Sequence, residues 1–213
     1  MNRGEIPPPK RRAVILSAER QSMTYEVELK YPLTDEASFR LRLGELKAQP
    51  RKTITQEDEY LNHPSRDFAQ SDEALRIRRI DHDNRLTFKG PLVDSETKTR
   101  EEIEIAFAEG AEEARRMRTL LERLGFRPVY RVCKIREIFV LSTESREFEI
   151  VIDQVEGLGK YVELECGAGE QDLTQARQEI LELAALLGLG PQVERRSYLR
   201  LLLARQAEGE IQP

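Results

Sequence analysis

Between residues 26 and 30 the chain reads Glu26-Val27-Glu28-Leu29-Lys30, with charged and apolar residues alternating at period two. In a strand, Glu26, Glu28 and Lys30 share one face, and Val27 and Leu29 share the other. Two carboxylates and an ammonium in one row make a poor core. They are well suited to holding a divalent cation beside a phosphate chain. The device recurs along the chain with both signs of charge. The fold must therefore give several strands one apolar and one ionic side.

Period-two alternation and turn residues predict strands over residues 25–31, 53–61, 74–80, 85–89, 98–107, 130–141, 146–155 and 161–166. Helices are expected after Thr34, which is the expected cap, and over residues 111–124, 173–187 and 193–204. The first carries an apolar stripe of Phe39, Leu43 and Leu46. The second carries Met117, Leu120, Leu121 and Leu124. Residues 62–71 read as a loop, and Gly157 and Gly159 mark a tight turn. Pro7-Pro8-Pro9 and the basic run Lys10-Arg11-Arg12 give residues 1–22 the character of a flexible extension. The functional domain is expected over residues 23–205, with a tail over residues 206–213. Met23 is a candidate natural start.

Strands with one ionic face admit two architectures. One is a sheet with a wet outer face. The other is a closed antiparallel barrel of about eight strands with a polar interior and helices outside. Several helices carry apolar stripes available to cover such an outside, and either architecture is an α+β fold.

The ionic faces hold two sets of candidates. The acidic set is Glu26, Glu28, Glu102, Glu104, Glu149, Asp153, Glu163 and Glu165. The basic set is Lys30, Arg76, Arg78, Lys89, Arg100, Lys134 and Arg136. Like charges pair two residues apart in Glu26/Glu28, Arg76/Arg78, Glu102/Glu104, Lys134/Arg136 and Glu163/Glu165. Desolvated together, such pairs repel unless water or a ligand of opposite sign lies between them. Carboxylate pairs suggest a cation. Arginine and lysine pairs suggest a polyanion. A metal-chelated polyphosphate answers both. Any single pair is equally compatible with cross-strand pairing on a solvated face. The helical run Arg115-Arg116-Met117-Arg118 reads as a solvated face.

Composition narrows the classes. The net charge of -5 argues against a broad nucleic-acid footprint. No apolar run approaches the ~20 residues of a membrane span. Two cysteines far apart, Cys133 and Cys166, read as free thiols in a reducing compartment, and a cytoplasmic location is expected. With only His63 and His82 for histidines, a metal here takes oxygen ligands, which points to Mg²⁺ or Mn²⁺.

The chain resembles the CYTH superfamily, the triphosphate tunnel metalloenzymes. The opening Glu26-Val27-Glu28-Leu29-Lys30 is similar to the ExExK signature. It is followed in order by Ala74-Leu75-Arg76-Ile77-Arg78, Leu86-Thr87-Phe88-Lys89-Gly90-Pro91 and Thr99-Arg100-Glu101-Glu102. Then come Lys134-Ile135-Arg136, Asp153-Gln154-Val155-Glu156-Gly157-Leu158-Gly159, Glu163-Leu164-Glu165 and Ser197-Tyr198. The resemblance spans residues 23–203 and is closest to the class IV adenylyl cyclase group. It implies a tunnel of about eight antiparallel strands. It implies that Glu26, Glu28, Asp153, Glu163 and Glu165 hold one or two Mg²⁺ or Mn²⁺ ions. It implies that Lys30, Arg76, Arg78, Lys89, Lys134 and Arg136 hold a triphosphate, with Arg100 as a further candidate. Glu26, Glu28, Lys30, Arg76, Arg78 and Lys89 are the expected catalytic set. The implied substrate is ATP, converted to cyclic AMP and pyrophosphate. A triphosphatase is the first alternative and a non-catalytic polyphosphate-binding module the second. A homodimer is left open.

Overall fold

The computed structural model of the chain describes residues 24–91 and 102–209, without the side chains of residues 24–26. The expected extension over residues 1–22, and Arg100, lie outside the described residues. The elements in chain order are β1 (Thr24–Pro32), α1 (Glu36–Glu45), β2 (Gln49–Asn62), α2 (Phe68–Ser71), β3 (Ala74–Ile80), β4 (Asp83–Lys89) and β5 (Glu102–Phe107). They continue with α3 (Ala111–Arg123), β6 (Arg127–Ser142), β7 (Glu147–Val155), β8 (Gly159–Gly169), α4 (Leu173–Leu186) and α5 (Tyr198–Ala207).

The strands form one sheet in the order β1-β8-β7-β6-β2-β3-β4-β5, and each neighbouring pair is antiparallel. The expected closed barrel is met only in part. Among the described residues β1 and β5 are the two edges, and no ladder joins them. Both edges carry acidic rows, Glu26/Glu28 and Glu102/Glu104, and pairing like charges directly across a ladder is unfavourable.

Two apolar clusters cover one side of the sheet. Val27, Tyr31, Ile150, Ile152, Val162 and Leu164 pack with Phe39 and Leu43 of α1 and with Ile180 and Leu183 of α4. Leu75 and Ile77 of β3 pack with Phe68 of α2 and Leu121 of α3. All the strand residues named are opposite in parity to the charged rows. The apolar half of the alternation therefore builds the core, and the ionic half is left to the other face.

Several local expectations shift. Asp35 caps α1 in place of Thr34, its carboxylate accepting from the Ser38 amide at 3.1 Å. Residues 68–71 form the short helix α2 within the expected loop, capped by Asp67. The buried stripe of α3 is Ala114, Met117 and Leu121, spaced three and four apart, while Leu120 and Leu124 are exposed. The last helix begins at Tyr198 rather than 193 and runs to Ala207 rather than 204.

α5 is the exception to the layering. Tyr198, Leu201 and Leu202 pack with Val132, Val155 and Tyr161, which share parity with Lys134, Asp153 and Glu163. This helix therefore lies across the ionic face. Ser197 caps it, accepting from the Arg200 amide at 3.2 Å.

Candidate functional site

Register assembles the ionic rows. Lys30 of β1 is opposite Glu163 of β8, and Glu28 is opposite Glu165. Glu165 is in turn opposite Glu149 of β7. Asp153 of β7 is opposite Arg136 of β6. Gln56 of β2 is opposite Lys134 of β6, and Asp58 is opposite Arg78 of β3. Arg76 is opposite Thr87 of β4, and Lys89 is opposite Glu102 of β5. Glu26 is opposite Gly167 in the same row. The described members of the expected charged set thus share one face of one sheet by register.

Burial grades along this face. Lys30, Lys134, Arg76, Asp58, Asp153 and Glu163 lie deepest, each less than a tenth exposed. Glu28, Glu165, Arg136 and Arg78 are half-buried. Tyr198 of α5 sits at the deep end, with the Lys30 ammonium 4.4 Å and the Lys134 ammonium 5.1 Å from its ring centroid. Its hydroxyl donates to Asp153 Oδ2 at 2.9 Å, and its ring meets Tyr161 edge-on at 5.3 Å. α5 thereby covers the inner end of the charged cleft.

Two aspartates organise the cations. Asp153 is fully buried. Its Oδ1 accepts from Arg136 Nε at 2.8 Å. Its Oδ2 accepts from Arg136 Nη2 at 2.6 Å and from Lys134 Nζ at 3.0 Å. Asp58 takes Arg78 side-on through Nε and Nη2, both at 2.7 Å. It also takes Arg76 Nη1 at 3.4 Å and Gln56 Nε2 at 3.2 Å. Each like-charged cation pair two residues apart therefore has a carboxylate on the adjoining strand. Arg76 Nε is buried without a hydrogen-bond partner among the described residues. Buried donors are rarely left so, and an anionic ligand would satisfy it.

These contacts set the ionisation. Burial would raise the Asp58 carboxyl, but Arg76 and Arg78 outweigh it and hold the group well below the ordinary range. Burial opposes ionisation of Asp153 too, and the bonds from Arg136 and the charge of Lys134 reverse it. Lys134 moves down, because burial dominates and the guanidinium of Arg136 repels its charge more than Asp153 attracts it. Burial pushes the Tyr198 hydroxyl far up, and the nearby carboxylates of Glu163 and Asp153 add to that.

The carboxylates of β8 face the same cations. Glu163 accepts from Arg136 and lies 3.9 Å from Lys30. Glu165 lies 3.9 Å from Arg136 Nη1. On the far edge, Lys89 pairs with Glu102 at 2.7 Å, and Glu104 accepts from Thr87 at 3.2 Å and pairs with Arg85. Among the described residues no three carboxylate, histidine or cysteine groups converge as a ready-made cation site. The donor chemistry nonetheless fits a hard cation. Glu28, Glu163 and Glu165 are all oxygen donors on adjoining positions of β1 and β8. Both cysteines are free thiols, with Cys133 half-buried and Cys166 buried. No described helix is long and apolar enough to cross a membrane.

Asp58 and Gln56 were not among the expected site residues. Their signal was present in the alternation Gln56-Glu57-Asp58-Glu59-Tyr60, which puts Gln56, Asp58 and Tyr60 on one face.

An eight-stranded antiparallel sheet carrying facing cationic and carboxylate rows defines a class of polyanion-cleft protein. The CYTH domain family matches residues 24–198, and the chain belongs to that family. The chain is 38% identical over 178 residues to the Methanocaldococcus jannaschii protein named "Putative adenylate cyclase MJ0240", covering 83% of this chain and 97% of that one. It is 30% identical over 191 residues to the Aeromonas hydrophila protein named adenylate cyclase CyaB, covering 87% and 93%. Among solved structures, the PH1819 protein of Pyrococcus horikoshii superposes with a TM-score of 0.71 at 38% identity, covering 85% of this chain and 99% of that one.

Proposed function

We propose that the chain is a divalent-metal-dependent enzyme acting on a triphosphate, with adenylyl cyclase activity on ATP. The observation that supports this most is the juxtaposition on one face of Lys30, Lys134, Arg136, Arg76 and Arg78 with Glu28, Glu163 and Glu165. The cations are too many and too deeply set for a solvated sheet, and burying so many carboxylates among them disfavours a simple anion binder. The names of the two curated relatives favour the cyclase over other triphosphate chemistry.

Lys30, Arg76, Arg78, Lys89, Lys134 and Arg136 would bind the phosphate oxygens, and Arg100 is proposed with them. Glu26, Glu28, Glu163 and Glu165 would hold the metal, with Asp153 as a fifth ligand. The Oδ1 of Asp153 accepts one hydrogen bond where Oδ2 accepts three, so it has lone pairs to offer. A bound divalent cation would neutralise charge developing on the phosphates. The chain's own cations would orient the triphosphate and stabilise that charge from fixed positions. In the cyclase reaction the ribose 3′-hydroxyl attacks the α-phosphorus and pyrophosphate leaves. In a triphosphatase, water attacks the terminal phosphorus. In this reading the phosphates would lie beside the cations that α5 covers, and the nucleoside would extend away from them. That arrangement serves both reactions, so the triphosphatase is the second reading.

Incubation with ATP or tripolyphosphate and Mg²⁺, followed by product identification, tests the proposal. Cyclic AMP supports the cyclase. Orthophosphate from either substrate selects the triphosphatase. No product from either removes the enzyme. Arg76→Ala is expected to lose on the order of 2 kcal/mol of transition-state stabilisation, read as kcat/KM. A variant with the parent's kcat/KM removes Arg76 from the site.

A further inference from the structure

Asp58 is a buried carboxylate outside the expected metal set, and it plays toward Arg78 the part that Asp153 plays toward Arg136. Its register neighbours across the ladders are Arg78 on β3 and Val132 on β6. Its polar contacts are Arg78 Nε and Nη2, Arg76 Nη1 and Gln56 Nε2. All of these are donors, and two of the three side chains are guanidiniums. It is buried, and its side chain is short and fixed to a central strand. The contact to Arg78 is the side-on form, which consumes Nε and Nη2 and leaves the Nη1 edge for another acceptor. We propose that Asp58 is a positioning residue: it fixes the direction in which Arg76 and Arg78 present their remaining N–H groups to a phosphate chain. This rests on the triphosphate reading of the site, and it deepens that reading by giving the arginine pair an internal aligner that is not a metal ligand.

The sign of the effect makes the idea testable. By Coulomb's law alone, removing a negative charge beside an anion site tightens anion binding. An aligner predicts the opposite, because two long side chains lose their fixed geometry and must be ordered by the ligand.

Binding of a methylene-bridged, non-hydrolysable tripolyphosphate analogue would be measured by calorimetry in EDTA. The proteins are the parent, Asp58→Asn, Asp58→Glu, Arg78→Ala and the double variant Asp58→Asn/Arg78→Ala. Thermal melting would establish that each is folded at the assay temperature. Asp58→Asn is expected to weaken binding fivefold or more. On the Arg78→Ala background it should weaken binding by a smaller factor than in the parent, since Arg78 is one of the two guanidiniums it aligns. Asp58→Glu keeps the charge, and with it the ion pair that supports folding, but moves the carboxylate by one methylene. It is expected to weaken binding as well, and it decides the matter if Asp58→Asn does not fold. Tighter or unchanged binding in the folded variants overturns the proposal, and so does full additivity with Arg78→Ala. A Mg²⁺ titration of parent and Asp58→Glu checks the other assignment: a shifted half-saturation would make Asp58 a metal ligand and overturn the positioning role. If the parent binds the analogue but turns over no triphosphate, the catalytic reading falls and the binding cycle still decides Asp58. If the parent does not bind it, both fall.

Discussion

Asp153 concentrates more of this site's energetics than any other side chain. It is fully buried and accepts from Arg136, Lys134 and Tyr198. Breaking a buried ion pair leaves uncompensated charge, so Asp153→Asn is expected to cost about 3–5 kcal/mol of unfolding free energy at pH 7, read from urea denaturation. The pH dependence has a definite direction. Asp58 and Asp153 both have folded-state pKa values below their unfolded values. Their contribution is full above the unfolded carboxyl range near pH 4 and is lost as pH falls below it. Urea midpoints of the parent should therefore fall steeply between about pH 5 and pH 3. Asp153→Asn should show a shallower slope there, because one of the two carboxyls no longer titrates. An equal slope would mean that the Asp153 carboxyl titrates alike in the folded and unfolded states.

At the scale of elements, the strands were legible and the helices only in outline. Alternation in Glu26-Val27-Glu28-Leu29-Lys30 dictated which side of β1 meets the core, and Val27 is buried against the outer helices as that pattern requires. The same logic put Arg76 and Lys134 on the ionic face. Asp58 belongs to no like-charged pair, so the spacing that marks the other ionic rows does not mark it. Its strand offers a single inward carboxylate flanked by Gln56 and Tyr60. α3 was misjudged because Leu120 and Leu124 have the right spacing for a stripe, and local spacing does not reveal which stripe the sheet covers. The placement of α5 across the ionic face is a long-range packing outcome. Ser197-Tyr198 hinted that the segment matters, but nothing local says where it docks. Leu202, almost fully buried between α5 and the sheet, anchors that placement. Leu202→Ala is expected to cost about 2–5 kcal/mol in urea denaturation. Loss of much less would mean that α5 is only loosely held.

For the whole molecule, the decisive quantity is the distribution of charge rather than its sum. A net charge of -5 repels a polyanion at long range, yet the deepest layer of the cleft carries Lys30, Lys134 and Arg76. Glu28, Glu163 and Glu165 share the face with them, and Glu163 is as buried as Lys134. Those carboxylates oppose the bare anion and favour it once a divalent cation accompanies it. On the proposed reading the affinity is conditional: the cations would attract the phosphates, and the acidic rows would call for the metal. The methylene-bridged tripolyphosphate analogue is accordingly expected to bind at least tenfold more tightly in Mg²⁺ than in EDTA, about 1.4 kcal/mol. Glu28→Gln should narrow that ratio mainly by strengthening the metal-free arm, because it removes repulsion there while removing a ligand from the other. Calorimetry of parent and variant under both conditions checks this. Equal affinities in Mg²⁺ and EDTA for the parent would mean that the bound anion does not sense the acidic rows, and the two halves of the ionic face would then belong to separate functions.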